Sequence, residues 1–254
     1  MKRILLLAGT NYTGESHKLR GCVQDTYKLS SKFGKIGIDD RQILREDDMS
    51  KKNWLDLLLK AVLEAQPGDE IYHGHSHHGT WYPDQSEEDG RGEAWVPDDW
   101  NYDTQSLITD DEMDEVLAHL HPEAFFIDWP DCCHASGSLR SIAFGNEIPR
   151  FVVNPELPED TGIVRITKTV LPLYRHNVVQ LAACRSDQTS ADAFIEGEWC
   201  GAFTHYALKA WDDAGNISFG NLIDRAGKLL SRFGYSQCPE YVGSESNMER
   251  FMLS

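Results

Sequence analysis

The sequence of 254 residues has no long apolar run and no regular cysteine pattern. The apolar stretch at residues 4–8 is too short for a secretory signal, and no stretch approaches membrane-spanning length. The six cysteines are irregularly spaced, and the adjacent Cys132 and Cys133 cannot easily pair with each other. We therefore expect free thiols, a reducing cytoplasm and no membrane association.

Basic residues are also scarce, with 24 Lys and Arg against 41 Asp and Glu and a net charge of −17. Phosphate backbones would repel such a chain, so we expect no nucleic-acid partner. The same charge attracts cationic peptides, basic partner surfaces and metal cations. Apolar residues make up 41% of the chain, which is enough to bury a sizeable core.

Apolar strand patterns alternate with amphipathic helix patterns along the chain. This alternation predicts an α/β fold, with a mostly parallel central sheet and helices on both faces. We predict strands at 4–9, 39–44, 123–129 and 178–183 and a further strand that begins at 70–72. Helices are predicted at 19–33, 51–65, 201–211 and 219–233, with another that begins at 109. Residues 79–107 are predicted to form a long loop. Ser50 and Thr109 are the predicted N-caps, the latter with Glu112 in a capping box.

Two segments with reactive side chains follow predicted strands. Residues 73–79 read HGHSHHG and residues 131–137 read DCCHASG, so His78 lies 55 residues before Cys133. Ligands of parallel sheets bind beyond the carboxyl ends of the strands. Caspase-type peptidases place a histidine about 50 residues before the nucleophilic cysteine. A thiol beside an imidazole is the arrangement needed for nucleophilic catalysis.

These segments resemble motifs of the metacaspases, within the wider caspase-like clan. The resemblance rests on SHHG at 76–79 and DCCHASG at 131–137, and it extends over nearly the whole chain through LRGCVQD at 19–25, the segments 183–191 and 201–204, and QCP at 237–239. It implies a single caspase-like domain over 1–254. Its parts are a large-subunit-like region (1–146), a linker-like segment (147–175) and a small-subunit-like region (176–254).

The resemblance also implies roles for individual residues. It makes His78 the base and Cys133 the nucleophile, with the backbone N–H groups of Gly79 and Cys133 as the oxyanion hole. The residues that would line the primary specificity pocket are Asp25, Ser76 and Asp131. Carboxylates in that pocket would bind a guanidinium or ammonium, so we expect cleavage of protein or peptide substrates after Arg or Lys. A monomer is expected from the same resemblance.

Many metacaspases need calcium, and Asp110 and Asp111 match two of its ligands. Gly92 stands at a third ligand position, and no aspartate lies near Arg140, where a fourth is expected. Because calcium takes six to eight oxygens, these losses weaken the implied site. Asp110 and Asp111 are equally explained as charges favoured at a helix N-terminus. No organic cofactor is implied.

Two departures from the family pattern affect the site itself. His77 replaces a glycine, and Ala135 is an apparent one-residue insertion. In the linker-like segment, an Arg/Lys-specific enzyme has candidate self-cleavage points that could equally be surface charges: Arg150, Arg165, Lys168 and Arg175.

Two alternatives remain at this stage. Alternate histidines from His73 to His78 place imidazoles on one side of a strand, as a zinc-dependent hydrolase requires. The second alternative is a catalytically impaired caspase-like binding module, which the His77 and Ala135 departures favour. Stoichiometric zinc would support the first, and covalent labelling of Cys133 would argue against the second.

Overall fold

The computed structural model describes residues 1–38, 40–85, 90–133, 147–156, 177–186 and 188–252. In these described parts the strands form one six-stranded sheet and two three-stranded sheets. They are β1 (Arg3–Gly9), β2 (Asp40–Arg45), β3 (Glu70–Ser76), β4 (Gly79–Pro83), β5 (Arg91–Trp95), β6 (Ile108–Thr109), β7 (Phe125–Asp131), β8 (Ile148–Pro149), β9 (Val178–Ala182), β10 (Ala191–Ile195), β11 (Glu198–Gly201) and β12 (Glu240–Val242).

The largest sheet has six strands in the order β12-β9-β7-β3-β1-β2. All neighbours are parallel except β12, which runs antiparallel to β9. β2 lies on one side of β1, and the chain then crosses back so that β3 lies on the other side of β1. In open α/β sheets this reversal creates a crevice at the carboxyl ends of the strands. There the register places Ser76 of β3 opposite Asp131 of β7.

Six α-helices lie in the described parts of the chain: α1 (Cys22–Lys35), α2 (Lys51–Glu64), α3 (Asp110–Leu117), α4 (Ala202–Ala214), α5 (Phe219–Arg232) and α6 (Glu245–Met248). Ser50 caps α2 by accepting a hydrogen bond from Asn53 N. Thr109 and Glu112 form the predicted capping box at the start of α3. None of the helices described is both long and apolar enough to cross a membrane.

The sheet separates two hydrophobic cores. Leu5 and Leu7 of β1 face the core that α1, α4 and α5 cover, whereas Leu6 faces the core formed with α2 and α3. Successive side chains of a strand point to opposite faces, so a strand buried on both sides is apolar throughout. The structure therefore confirms the α/β fold with a mostly parallel sheet and helices on both faces.

One sequence prediction is wrong in this region. The predicted loop 79–107 contains β4 and β5, which pair antiparallel, and β5 also pairs with β6. The Gly, Pro and acidic residues of this stretch obscured the aromatic residues that its strands carry, among them Trp95. The strand predicted to begin at 70–72 runs on to Ser76, because the polar side chains of His73 and His75 are buried and hydrogen-bonded.

Candidate active site

His78 lies between the end of β3 and the start of β4, and its ring packs against Tyr12. The ring centroids are 5.0 Å apart, and the Tyr12 hydroxyl accepts a hydrogen bond from the His78 backbone N–H. Nε2 of His78 donates to the carbonyl of His17 at 2.6 Å. Burial lowers the pKa of His78 to about 3, although the backbone groups of His17 and Arg150 oppose this. The imidazole is therefore neutral, and Nδ1 carries its lone pair.

Cys133 follows β7 by two residues, and its thiol is buried. Its Sγ accepts a hydrogen bond from Ser190 N at 3.1 Å and donates to Ser190 O at 3.7 Å. Burial raises the pKa of Cys133 to about 12. In this arrangement the thiol and the imidazole are both uncharged. Residues 134–146, including Ala135, lie outside the described residues.

Two backbone N–H groups converge on the carbonyl oxygen of Arg150. Gly79 N donates to it at 3.0 Å and Cys133 N at 3.2 Å. These are the two groups predicted to form an oxyanion hole, and the structure brings them to one oxygen atom. A Cβ at Gly79 would collide with the Cys133 carbonyl. Only glycine lets the two strand ends approach this closely.

The side chain of Arg150 enters a pocket formed by the three residues predicted to bind substrate. Nη2 donates to Asp25 Oδ2 at 2.7 Å, and Nη1 donates to Ser76 Oγ at 2.6 Å. Nη1 also lies 3.0 Å from Asp131 Oδ1. The guanidinium is 0% exposed. The interpretation of Arg150 as a surface charge is therefore wrong, because carboxylates hold it in the interior.

Sequence reasoning missed a third pocket carboxylate, Asp192, which accepts from Arg150 Nη2 at 3.0 Å. It also missed Ser190, whose hydroxyl donates to Asp131 Oδ1 at 2.6 Å. Ser190 lies within the SDQTSA segment (186–191) that carried part of the resemblance, and Asp192 directly follows it. A polar segment just before β10 was the available signal, but only the fold shows that it meets the distant Asp25.

The N-terminus of α4 supports these carboxylates. Gly201 N donates to Asp25 Oδ1 at 2.9 Å, and Thr204 N donates to Asp131 Oδ2 at 2.9 Å. Both donors belong to the first turn of the helix or its cap, where backbone N–H groups and the helix dipole favour negative charge. Burial raises the pKa of Asp25 to about 6, and the Arg150 guanidinium opposes that rise.

The segment around Arg150 crosses the site as an extended strand. Ile148 and Pro149 pair antiparallel with β10, and Arg150 N donates to Ser190 O at 3.0 Å. Beyond Arg150, the N–H of Val152 donates to the Gly79 carbonyl at 3.1 Å. The peptide bond between Arg150 and Phe151 thus lies against Cys133 and Gly79. The other candidate cleavage points, Arg165, Lys168 and Arg175, lie outside the described residues.

The histidine segment divides into two parts that face different surroundings. His78 lies in the crevice, whereas His73, His75 and His77 are buried against Trp54 and Trp95. Because these three alternate along one strand, their side chains share a face. Cys132 completes a group with His75 and His77 whose ligand atoms all lie within 4.8 Å of one another.

The residues present do not fit the calcium site that the resemblance implies. Asp110 accepts a hydrogen bond from the Tyr82 hydroxyl at 3.0 Å, and burial raises its pKa to about 6. A side chain at Gly92, where a ligand is expected, would collide with the Tyr82 ring. Tyr82 therefore occupies the space of a missing carboxylate. Asp110 and Asp111 lie in the first turn of α3, as the helix-terminus explanation requires.

Comparisons with known proteins show the family of this chain. The sequence model of the family "Metacaspase, peptidase C14 domain" matches residues 2–141, so the chain belongs to the metacaspases, a family of cysteine peptidases. Metacaspase-1 of Meyerozyma guilliermondii is 28% identical over 94% of this chain and 68% of its own length. Metacaspase-1 of Saccharomyces cerevisiae (strain ATCC 204508 / S288c) is 27% identical over 96% of this chain and 66% of its own.

The chain thus spans about two thirds of the length of these curated relatives. Among solved structures, protein GSU0716 from Geobacter sulfurreducens has a TM-score of 0.72 and 21% identity. That match covers 98% of this chain and 97% of the other. At this identity it supports the fold alone. The two alternatives to a cysteine peptidase are not favoured by these comparisons.

Proposed function

We propose that this protein is a cysteine endopeptidase that cleaves after Arg, and less well after Lys, through Cys133 and His78. The observation that carries the proposal is the position of Arg150. Its guanidinium lies among three carboxylates while its carbonyl accepts from Gly79 N and Cys133 N. A substrate residue before the scissile bond needs both contacts at once.

Charge and shape favour Arg over the other candidates. Two guanidinium nitrogens of Arg150 reach separate acceptors, which is the fork geometry that a single ammonium lacks. A lysine side chain is also one bond shorter, so it reaches less far toward Asp25 and Asp192. An aspartate would bring a fourth carboxylate into a buried acidic pocket, and charge repulsion would exclude it.

The proposed reaction begins with transfer of the Cys133 proton to Nδ1 of His78. The thiolate attacks the substrate carbonyl, and Gly79 N and Cys133 N stabilise the oxyanion that forms. His78 then donates its proton to the leaving amine, and the C–N bond breaks to give the acyl-enzyme. Water, deprotonated by His78, hydrolyses the thioester and releases the new carboxyl terminus.

Arg150 also makes the chain a candidate substrate for itself. Cleavage of the bond between Arg150 and Phe151 would transfer the Arg150 acyl group to Cys133, leave Phe151 as a new N-terminus and, after hydrolysis, give Arg150 a free carboxylate. Until then the segment 147–151 fills the pocket, so we propose that the uncleaved chain is latent. Because the segment is already bound in its own site, cleavage would be intramolecular, with a rate constant that does not depend on protein concentration.

The first test is hydrolysis of matched fluorogenic peptides that end in Arg, Lys or Asp. We expect cleavage after Arg, slower cleavage after Lys and none after Asp, preceded by the appearance of the Phe151 N-terminus in mass spectra. Cys133→Ala should abolish both reactions, whereas Cys238→Ala, at an exposed cysteine, should abolish neither. Cleavage after Asp, or activity that survives Cys133→Ala, would reject the proposal. No cleavage in any condition would favour the impaired binding module.

We further propose that catalysis does not require calcium, since Tyr82 occupies space that a calcium ligand would need. Adding chelator to the same peptide assay should leave the rate unchanged, and activation by micromolar calcium would overturn this proposal. The cytoplasmic location and the monomeric state stay predictions, which cell fractionation and size-exclusion chromatography can check.

A further inference from the structure

Two buried histidines of β3 and His77, which directly follows that strand, form a hydrogen-bonded chain that ends on a carboxylate. His77 Nε2 lies 2.7 Å from His75 Nδ1, and His75 Nε2 lies 3.1 Å from Asp128 Oδ1. His73 Nδ1 meets the same oxygen at 2.7 Å. All four side chains are 1% exposed or less. None of them contributes to the proposed peptidase reaction.

The partners of His73 and His77 determine where their protons lie. Trp54 Nε1–H can only donate, so His73 Nε2 accepts at 3.0 Å and the His73 proton is on Nδ1. The His78 carbonyl can only accept, and it lies 2.7 Å from His77 Nδ1. His77 therefore carries its proton on Nδ1. When neutral, it presents a bare lone pair on Nε2 toward His75.

His75 is left between two acceptors. Its Nε2 faces the Asp128 carboxylate, and its Nδ1 faces the lone pair of His77. With both rings neutral and His75 donating to Asp128, two lone pairs face each other across 2.7 Å. A metal cation placed between the rings would be bound by both.

We propose that His75 Nδ1, His77 Nε2 and Cys132 Sγ bind a zinc ion. The three residues place one ligand atom each within 4.8 Å of the others. At Zn–N bond lengths of about 2.0–2.1 Å, the 2.7 Å between His75 Nδ1 and His77 Nε2 has to widen by only roughly 0.6 Å. Two imidazole nitrogens and a thiolate are donors that select zinc over calcium or magnesium. A water molecule is expected to complete the tetrahedron.

The second ligand shell is already in place. A metal-bound histidine usually donates its other ring N–H to a carboxylate or a backbone carbonyl. Here His75 would donate from Nε2 to Asp128, and His77 already donates from Nδ1 to the His78 carbonyl. Gln180 Nε2 in turn donates to Asp128 Oδ2 at 3.0 Å. The surroundings thus orient each ring with a lone pair toward the ion.

Buried anions would offset the charge of the ion. Zinc would displace the proton of the Cys132 thiol, so a thiolate and the Asp128 carboxylate would lie beside one doubly charged ion. The buried group would then be neutral, and the cost of burying an unpaired charge would not arise. Deprotonation of a coordinating thiol is the usual consequence of zinc binding.

This ion would be structural rather than hydrolytic, because Trp54 and Trp95 pack against the histidines. It would join the ends of β3 and β7, where His77 and Cys132 directly precede His78 and Cys133. Any effect of the ion on the catalytic positions of His78 and Cys133 rests on the proposed peptidase function. Ion binding does not depend on that function, so the zinc proposal and the peptidase proposal can fail separately.

The test uses the full chain with Cys133→Ala, which prevents self-cleavage and removes the neighbouring thiol. The protein is refolded with Co²⁺ or Zn²⁺, or with chelator. We expect one Co²⁺ per chain, with a thiolate-to-cobalt charge-transfer band and the visible bands of a tetrahedral site. Zinc should raise Tm over the chelator sample by roughly 5 °C or more, as expected for a ligand far above its Kd.

Three variants assign the ligands. Cys132→Ser should lose the charge-transfer band, and His77→Gly should lose the metal-dependent rise in Tm. Cys184→Ser, at another buried cysteine, should keep both. Comparing each variant with its own chelator sample separates loss of the ion from loss of the fold. Absence of Co²⁺ binding by the parent, or a band that survives both Cys132→Ser and His77→Gly, would overturn the proposal.

Discussion

One cation in the pocket, Arg150, faces three carboxylates, and the remaining negative charge is offset by backbone donors. Arg20 N donates to Asp192 Oδ2 at 2.7 Å, in addition to the contacts that the start of α4 makes with Asp25 and Asp131. Because these donors are fixed, the carboxylates stay in place when the guanidinium leaves. The pocket is therefore preorganised for a cationic side chain.

At this scale we predict that Asp192→Asn weakens recognition of Arg. Asp192 binds Nη2 of the guanidinium, and losing a charged partner in the interior costs about 1.5–3 kcal/mol, or roughly 10- to 100-fold in kcat/KM. The loss should be smaller for Lys peptides, since the shorter side chain reaches Asp192 less well. Steady-state kinetics on self-cleaved enzyme measures both, with Asp56→Asn at an exposed site as control. Equal losses for Arg and Lys would contradict this account.

At the scale of elements, the site depends on how closely the ends of neighbouring strands approach. Gly79 begins β4 beside the Cys133 backbone, and a side chain there would meet the Cys133 carbonyl. The N–H groups of Gly79 and Cys133 can therefore reach one carbonyl oxygen only if residue 79 has no Cβ. The geometry of the predicted oxyanion hole is thus set by backbone packing rather than by a side chain.

We therefore predict that Gly79→Ala abolishes peptide cleavage and self-cleavage by separating the two N–H donors. Removal of a single oxyanion donor typically costs 10²- to 10³-fold in kcat. Gly227→Ala is the matched control. Gly227 lies inside α5, and a Cβ there would contact the Pro239 side chain at 3.5 Å, an ordinary van der Waals distance. That variant should keep full activity with equal or higher Tm. Activity of Gly79→Ala within a few-fold of the parent would contradict the assignment.

The elements themselves were largely predictable because their signals are local. Apolar periodicity and the caps at Ser50 and Thr109 depend on residues within a turn of each other, and the structure confirms them. Asp192 was missed because its role depends on Arg150, 42 residues away, and on Asp25 still further along the chain. The pairing of His75 with Asp128 was missed for the same reason: contacts between distant strands leave no periodic signal.

At the scale of the whole molecule, Arg150 joins the two regions that the sequence predicted to be large- and small-subunit-like. Its guanidinium contacts Asp25 of α1 and Asp131 of β7 on one side and Asp192 of β10 on the other. The same residue that occupies the pocket therefore contributes to the stability of the uncleaved fold. Activation by cleavage would exchange this internal contact for one with substrate.

We predict that Arg150→Gln, in the Cys133→Ala background, lowers the free energy of unfolding by about 3–5 kcal/mol at pH 8, since it leaves buried carboxylates without their cation. The loss should shrink near pH 5. Burial already raises the pKa of Asp25 to about 6 while Arg150 opposes that rise, so removing the cation raises this pKa further. A carboxyl whose pKa is higher in the folded state destabilises the fold above that pKa, and protonation relieves the effect as pH falls.

Urea denaturation at both pH values measures this difference, with Arg232→Gln at an exposed site as the control. The control should lose little stability at either pH, because a surface charge contributes little. A loss for Arg150→Gln that is the same at pH 5 and pH 8 would show that packing, rather than charge, holds Arg150 in place. The pocket would then be a weaker argument for a basic substrate residue, since a shape that accepts an uncharged side chain equally well does not select for Arg.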